Sequence, residues 1–308
     1  AAPAIPEDST MFEQLGLIGC GLMGGSFALA LKEAGLVRQV VGYSKSARTR
    51  ERALELGVID LEAATLEQAV EGSDLVLLAV PVAATESSLA AIAPVLAPRA
   101  LLMDVGSTKG DVVAAARRTL GERLSRFVPA HPIAGKESAG VEHADAALYR
   151  ERQLILTPLP ETHPPLVELA AELWTLLGSQ VLEMSPERHD AAYATVSHLP
   201  HLLAFAAMNA ILAQPQADEL LALAGPGFRD FSRIAASDPS VWRDILLANR
   251  EQVLLQSRQF RAALDALEAA MLAPDAEALQ SLIAQASQAR SGWQLGGQTY
   301  NPSEAVAA

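Results

Sequence analysis

The sequence predicts an α/β protein: a parallel-sheet domain followed by an all-helical one. Three observations predict this. A short apolar run, Leu15-Gly16-Leu17-Ile18, enters the glycine series Gly19-Cys20-Gly21-Leu22-Met23-Gly24, and an Ala/Leu-rich helical pattern follows at once over residues 27–34. Apolar strand patterns then alternate with helical ones up to residue 184, which is the signature of crossover units on a parallel sheet. From Ser185 onward strand signals stop. The expected division is therefore residues 1–184 and residues 185–308.

The glycine series gives the first domain its character. Gly19 lets the turn close, Gly21 lets backbone approach a pyrophosphate, and Gly24 lets helix and strand pack closely. The N–H groups at Leu22 and Met23 open the helix, where its positive dipole end faces an anion. A bare G-x-G-x-x-G is weak evidence, since glycine turns occur without ligands. Here strand, turn and helix are all present, and a second strand follows at Gln39-Val40-Val41-Gly42-Tyr43. A Rossmann-type dinucleotide site is expected.

The next elements refine the site. Ser44 ends the second strand where NAD-binding folds carry an acidic residue for the ribose 2′-hydroxyl. Lys45 and Arg48 can hold a 2′-phosphate, so NADP is the expected cofactor, with NAD possible; the other reading is a solvated basic turn. Residues 74–81 form an apolar run that reads as a strand buried on both faces. It ends at Val80 and Pro81, where the nicotinamide ribose is expected. Residues 100–105 form the next strand and run into Gly106-Ser107-Thr108-Lys109-Gly110. Functional residues gather at such carboxyl ends, but Ser107 could equally be an ordinary helix cap. Residues 127–130 read as one more strand, with His131 just past its end. A histidine there can take a hydroxyl proton as hydride leaves its carbon, or it can simply pack in a loop. Strands over residues 153–157 and 180–184 frame a helix at 166–177.

The second domain opens on Ser185 and Pro186, a cap and first-turn pair. A long helix is expected to about residue 213, carrying His189, Tyr193, His198 and His201. His198 and His201 share a face, but Pro200 distorts the spacing and no third ligand is placed, so no metal is expected. They are core or capping histidines, or substrate contacts. Arg229 and Arg233 are four apart after a glycine turn. Their guanidinium forks match a carboxylate, although a salt-bridged surface helix would look the same. Ser237-Asp238-Pro239 caps a helix with Trp242. Helices at 251–272 and 276–288 carry wide Leu/Ala faces that suit burial against each other or against a second subunit.

Composition sets limits. Net charge is −13 over 308 residues, which argues against nucleic acid or an anionic membrane as partner. The apolar stretch at 199–208 is too short for a membrane span and is interrupted by Pro200 and His201. A single cysteine, Cys20, rules out disulfides within the chain and suits a reducing, cytoplasmic setting. Residues 1–12 have no signal-peptide pattern and read as a disordered leader.

Taken together, Gly19 to Ser26, Asp104-Val105-Gly106-Ser107-Thr108-Lys109-Gly110, His131-Pro132-Ile133-Ala134-Gly135-Lys136-Glu137, Ser197-His198-Leu199-Pro200-His201, Gly227-Phe228-Arg229-Asp230-Phe231-Ser232-Arg233 and Ser237-Asp238-Pro239-Ser240-Val241-Trp242 resemble the prephenate/arogenate (cyclohexadienyl) dehydrogenase family of tyrosine biosynthesis. The resemblance implies a Rossmann-type domain followed by an all-α dimerisation domain, and a homodimer. It implies oxidative decarboxylation of prephenate or arogenate with NAD(P)+, without metal. It implies His131 as the catalytic histidine and Ser107 as the serine that bonds both that histidine and the substrate hydroxyl. Arg233 matches the arginine for a substrate carboxylate, and His201 matches a histidine near the substrate side chain. Arg229 stands where some relatives carry lysine. Glu137 and Asp230 match acidic gating positions, and Trp242 one that reaches in from a partner subunit. Two rivals remain at this point. A β-hydroxyacid-type dehydrogenase would use a lysine on the helix after Ser185, where this chain has none. A non-catalytic NADP-binding dimer would bind cofactor without turnover.

Overall fold

The computed structural model describes residues 10–136 and 138–296, so Glu137 lies outside the described residues. They form two compact units. The first comprises the described chain through Asp190 plus Asp238–Ala248, and the second comprises Ala191–Ser237 plus the described chain from Asn249.

The first unit is organised by a sheet of six parallel strands in the order β3-β2-β1-β4-β5-β6. These are β1 (Phe12–Ile18), β2 (Val37–Tyr43), β3 (Leu61–Glu62), β4 (Leu75–Leu78), β5 (Leu101–Asp104) and β6 (Phe127–Val128). The crossovers are α1 (Leu22–Glu33), α2 (Ala47–Glu55), α3 (Leu66–Val70), α4 (Thr85–Ile92) and α5 (Gly110–Thr119). The strands are apolar on both faces because both are covered. Leu75 and Leu77 of β4 join the layer under α1, whereas Val76 and Leu78 join the opposite layer under α3 to α5. Chain order reverses between β1 and β4, and a crevice opens there at the carboxyl ends of the strands.

A second sheet of three strands holds β7 (Ala130–Pro132), β8 (Gln153–Leu156) and β9 (Gln180–Glu183), with α6 (Pro164–Leu176) between the last two. This corrects the sequence reading of one strand over residues 127–130. Pro129 has no N–H to continue the ladder, and β6 and β7 part company there. His131 therefore lies within a strand, paired with Ile155, rather than past a strand end.

The chain then enters α7 (Pro186–Tyr193), a π-helical segment Ala194–His198, and α8 (Leu199–Leu212). These run on as one helix of 27 residues, the long helix expected to about residue 213, with Pro200 inside it. Proline crowds the carbonyl four residues back, and the widened turn just before it absorbs that conflict. By length and composition this helix could cross a membrane. The second unit continues with α9 (Ala217–Ala222) and α10 (Pro226–Ser232). Next, α11 (Pro239–Ala248) groups with the first unit, although the sequence assigned it to the helical half. It packs on the 3-10 turn Val82–Ala84 and buries Ile245. The second unit ends with α12 (Arg250–Leu272) and α13 (Ala276–Gly292).

Two smaller corrections follow. The leader expected over residues 1–12 is already structure by Met11, whose N–H donates to the Leu36 carbonyl, and Phe12 is buried in β1; residues 1–9 lie outside the described residues. Arg229 and Arg233 do not share one α-helix, because α10 stops at Ser232 and Arg233 opens a 3-10 turn.

Candidate active site

The three glycines of the β1–α1 turn do what their spacing predicts. Gly19 has φ +99°, and a Cβ there would run into the Ala79 carbonyl. A Cβ at Gly24 would strike the Gly19 carbonyl and sit 3.0 Å from Leu17 Cδ1, so only glycine lets α1 lie this close to β1. A Cβ at Gly21 would meet nothing within 4 Å, which leaves its backbone open to a ligand. The first turn of α1 carries no acidic residue, and no side chain caps it. Tyr149 fixes its place by donating from its hydroxyl to the Met23 carbonyl at 2.5 Å. Cys20 lies buried beside this turn, where burial pushes its thiol up to about 12, out of reach of thiolate chemistry.

A cleft of about 1470 Å³ opens from this turn. Gly19, Gly21, Leu22, Met23, Gly24, Ser44, Lys45, Arg48, Val80, Pro81 and Ser107 all line it, as does α11 through Val241 and Ile245. The volume, the open glycine and the uncapped helix start fit a dinucleotide. Arg50 was missed in the sequence: its guanidinium donates to the Ser44 carbonyl at 2.6 Å and pairs with Glu62 at 2.8 Å, which fixes the backbone where the ribose is expected.

Beyond β5 the loop is held by buried charge. Asp104 accepts from Lys109 Nζ at 2.6 Å, from the Gly106 N–H at 3.0 Å and from the Ala130 N–H at 3.0 Å. Lys109, fully buried, also donates to the Ala130 carbonyl at 2.6 Å. Ser107 is not the cap of α5. That place is taken by Asp190, which accepts from the N–H groups of Lys109 (2.9 Å) and Gly110 (2.8 Å). His131 is half-buried, and its Nδ1 lies 2.7 Å from His189 Nε2. Among the described residues, no hydrogen bond joins Ser107 to His131, and His131 does not line the cleft. Sequence reasoning placed Lys109 beside Ser107 at this strand end but missed Asp104, His189 and Asp190 as members of the cluster. The signal was an aspartate closing the apolar strand Leu101–Asp104 and an aspartate directly after His189.

In the second unit, His201 Nδ1 bonds the Ser197 carbonyl at 2.8 Å. Burial lowers its pKa, against the pull of that carbonyl, and the charge of the Arg233 guanidinium lowers it further. Arg229 pairs with Asp230 at 3.2 Å on the surface, with 75% of its side chain exposed. Trp242 sits on α11 in the first unit. Among the described residues, no group of three His, Cys, Asp or Glu is arranged to hold a metal.

Comparison with known proteins places this geometry. The family profile described as "Prephenate dehydrogenase, nucleotide-binding domain" matches residues 27–183, and "Prephenate dehydrogenase, dimerization domain" matches residues 185–285. The chain belongs to the prephenate dehydrogenase family. A cyclohexadienyl dehydrogenase of Zymomonas mobilis is 34% identical over 285 residues, covering 91% of this chain and 96% of that relative. A prephenate dehydrogenase of Bacillus subtilis is 35% identical over 281 residues, covering 91% of this chain and 76% of the relative. Among solved structures, Aquifex aeolicus prephenate dehydrogenase in complex with hydroxyphenyl propionate and NAD+ superposes with a TM-score of 0.86 at 35% identity, covering 92% of this chain and 99% of that one. Membership in the prephenate dehydrogenase family makes the chain an oxidoreductase and sets aside the β-hydroxyacid reading. The π-helical turn and the predicted His201 both fall in the part matched by this family's dimerization domain.

Proposed function

We propose that this chain binds a nicotinamide dinucleotide in the glycine-lined cleft and uses it to oxidise and decarboxylate prephenate or arogenate, giving 4-hydroxyphenylpyruvate or tyrosine with carbon dioxide. The observation that carries the reading is the glycine cleft, running from the open Gly21 backbone to Ser107. Family membership supplies the reaction class.

When bound, the nicotinamide supplies the hydride acceptor. His131 accepts the proton of the ring hydroxyl, and the ring carboxylate leaves as carbon dioxide while the ring becomes aromatic. Ser107 orients that hydroxyl. Arg233 holds a substrate carboxylate by a charge-assisted pair, with His201 beside it. Arg229, Asp230, Glu137 and Trp242 act around the substrate at longer range. Aromatisation drives the step, so the protein supplies positioning and a base.

The expected test is absorbance at 340 nm with each substrate and each cofactor. His131→Asn keeps a hydrogen bond but cannot take a proton. It should lose about 10²–10⁴ in kcat with little change in KM, and with it the loss of activity at low pH that a protonating base produces. A wild-type chain that binds cofactor without turnover would support the non-catalytic reading.

NADP is the proposed cofactor. Ser44 lacks a carboxylate to oppose a 2′-phosphate, and Lys45 and Arg48 line the cleft beside it. Ser44→Asp should move the preference in kcat/KM toward NAD, and a wild type that already prefers NAD sinks the assignment. The working assembly is proposed to be a homodimer in the cytoplasm, with neither nucleic acid nor membrane as partner.

A further inference from the structure

We propose that His189 and Asp190 are positioning residues that fix the ring and the tautomer of His131, so that its Nε2 carries the lone pair that meets the substrate. This rests on the reading of His131 as the base.

Three donors converge on the Asp190 carboxylate: the N–H of Lys109, the N–H of Gly110, and His189 Nδ1 at 2.8 Å. An ionised carboxylate only accepts, so His189 carries its proton on Nδ1. In a neutral ring Nε2 then bears the lone pair. That atom lies 2.7 Å from His131 Nδ1, which must donate. The proton of His131 is thereby placed on Nδ1 and its lone pair on Nε2. The same logic, a carboxylate choosing a tautomer, operates in hydrolase triads, here with one more imidazole in the line.

The anchor is firm. A Cβ at Gly110 would sit 2.9 Å from Asp190 Oδ2, so glycine is what admits the carboxylate to the start of α5. There the helix dipole favours its charge. Burial would raise the Asp190 pKa, but the bonds from His189 and the two N–H groups hold it below the usual carboxylate range. His189 is fully buried, and that burial keeps its ring neutral; Lys109 pushes the same way, while Asp190 and Asp104 oppose. Among the described residues, Asp104 from β5, Lys109 just before α5, Asp111 from α5 and Asp190 from α7 are the charged groups gathered at this end of the array. Lys109 completes it by gripping the carbonyl of Ala130, the residue before His131.

His189→Leu removes the acceptor for His131 Nδ1–H. We expect kcat to fall on the order of 10- to 100-fold, less than for His131→Asn, with substrate KM and cofactor affinity unchanged. An imidazolium without its acceptor is less stable, so the loss of activity on acidification should move to lower pH. A merely structural role would lower the active fraction and leave the pH profile where it was. His189→Gln, whose amide oxygen can still accept, should recover part of the rate. Asp190→Asn serves if the leucine variant does not fold, because its amide can donate to His189 Nδ1 and reverse both tautomers. The ¹⁵N spectrum of the imidazoles reads the tautomer without activity: Nδ1–H at His131 in wild type, lost in His189→Leu. A His189→Leu protein with an unchanged tautomer, or with wild-type rate and pH profile, overturns the proposal. If His131→Asn keeps full activity, the base reading fails instead, and the spectrum still decides the tautomer.

Discussion

Residues next to recognisable turns were legible in the sequence, and residues that act across the fold were not. Gly19, Gly21 and Gly24 sit in a local spacing that announces the tight strand-to-helix turn, although part of what demands glycine at Gly19 is the Ala79 carbonyl of a distant segment. Asp190 meets the start of α5 from 80 residues away, and nothing local in either segment announces the pair. The arginines show the same split. Spacing put Arg229 and Arg233 on one face, but the helix ends between them, and Arg229 is taken by Asp230 while the charge of Arg233 is felt at His201. Their substitutions should therefore differ. Arg233→Ala should raise substrate KM by roughly 10- to 100-fold with a smaller change in kcat, the loss expected for a charge-assisted carboxylate pair. Arg229→Ala should change KM by only a few-fold, because an exposed guanidinium already paired with a neighbour has little to lose. Steady-state kinetics of both variants checks this, and an Arg233→Ala enzyme with wild-type KM rules the assignment out.

At the scale of elements, the crossover pattern exposed the six-stranded sheet, because buried parallel strands read as apolar runs. What it concealed were local details that depend on packing: the parting of β6 from β7 at Pro129, the π-turn by which the expected long helix passes Pro200, and the return of α11 to the first unit. The β1–α1 junction allows the two jobs of its glycines to be separated. Gly24→Ala forces a methyl against the Gly19 carbonyl, so it should lower stability by about 1–3 kcal/mol and weaken cofactor binding as α1 shifts off β1. Gly21→Ala meets no atom of the protein, so stability should be unchanged while cofactor affinity alone falls, the methyl lying where the pyrophosphate must approach. Urea midpoints beside cofactor titration by fluorescence distinguish the two. Equal destabilisation by both would mean that the turn is strained as a whole.

At the scale of the molecule, the two units bury their apolar residues very differently. Most strand residues of the first are sealed, whereas the second seals few: Ala194, Leu199, Ala204, Val253 and Ala270 among its apolar residues. Leu223 is 77% exposed, and Leu255, Phe260 and Leu264 of α12 and Ile283 of α13 are all open to water. The wide Leu/Ala faces read from the sequence are thus not consumed by packing within this unit. The family's dimerization domain covers the same residues, so a second copy of the chain is the cover these faces call for. An obligate interface of this kind typically buries about 2,000–5,000 Å² and ties folding to association. Phe260 and Leu264 are four apart and share one face of α12. Replacing both with glutamate places two carboxylates where an apolar partner surface must sit. We expect light scattering to give half the wild-type mass, the melting temperature to fall and lose its dependence on protein concentration, and activity to drop with it. A wild-type chain that is an active monomer at assay concentration would refute the dimer, and the exposed face of α12 would then need a different occupant.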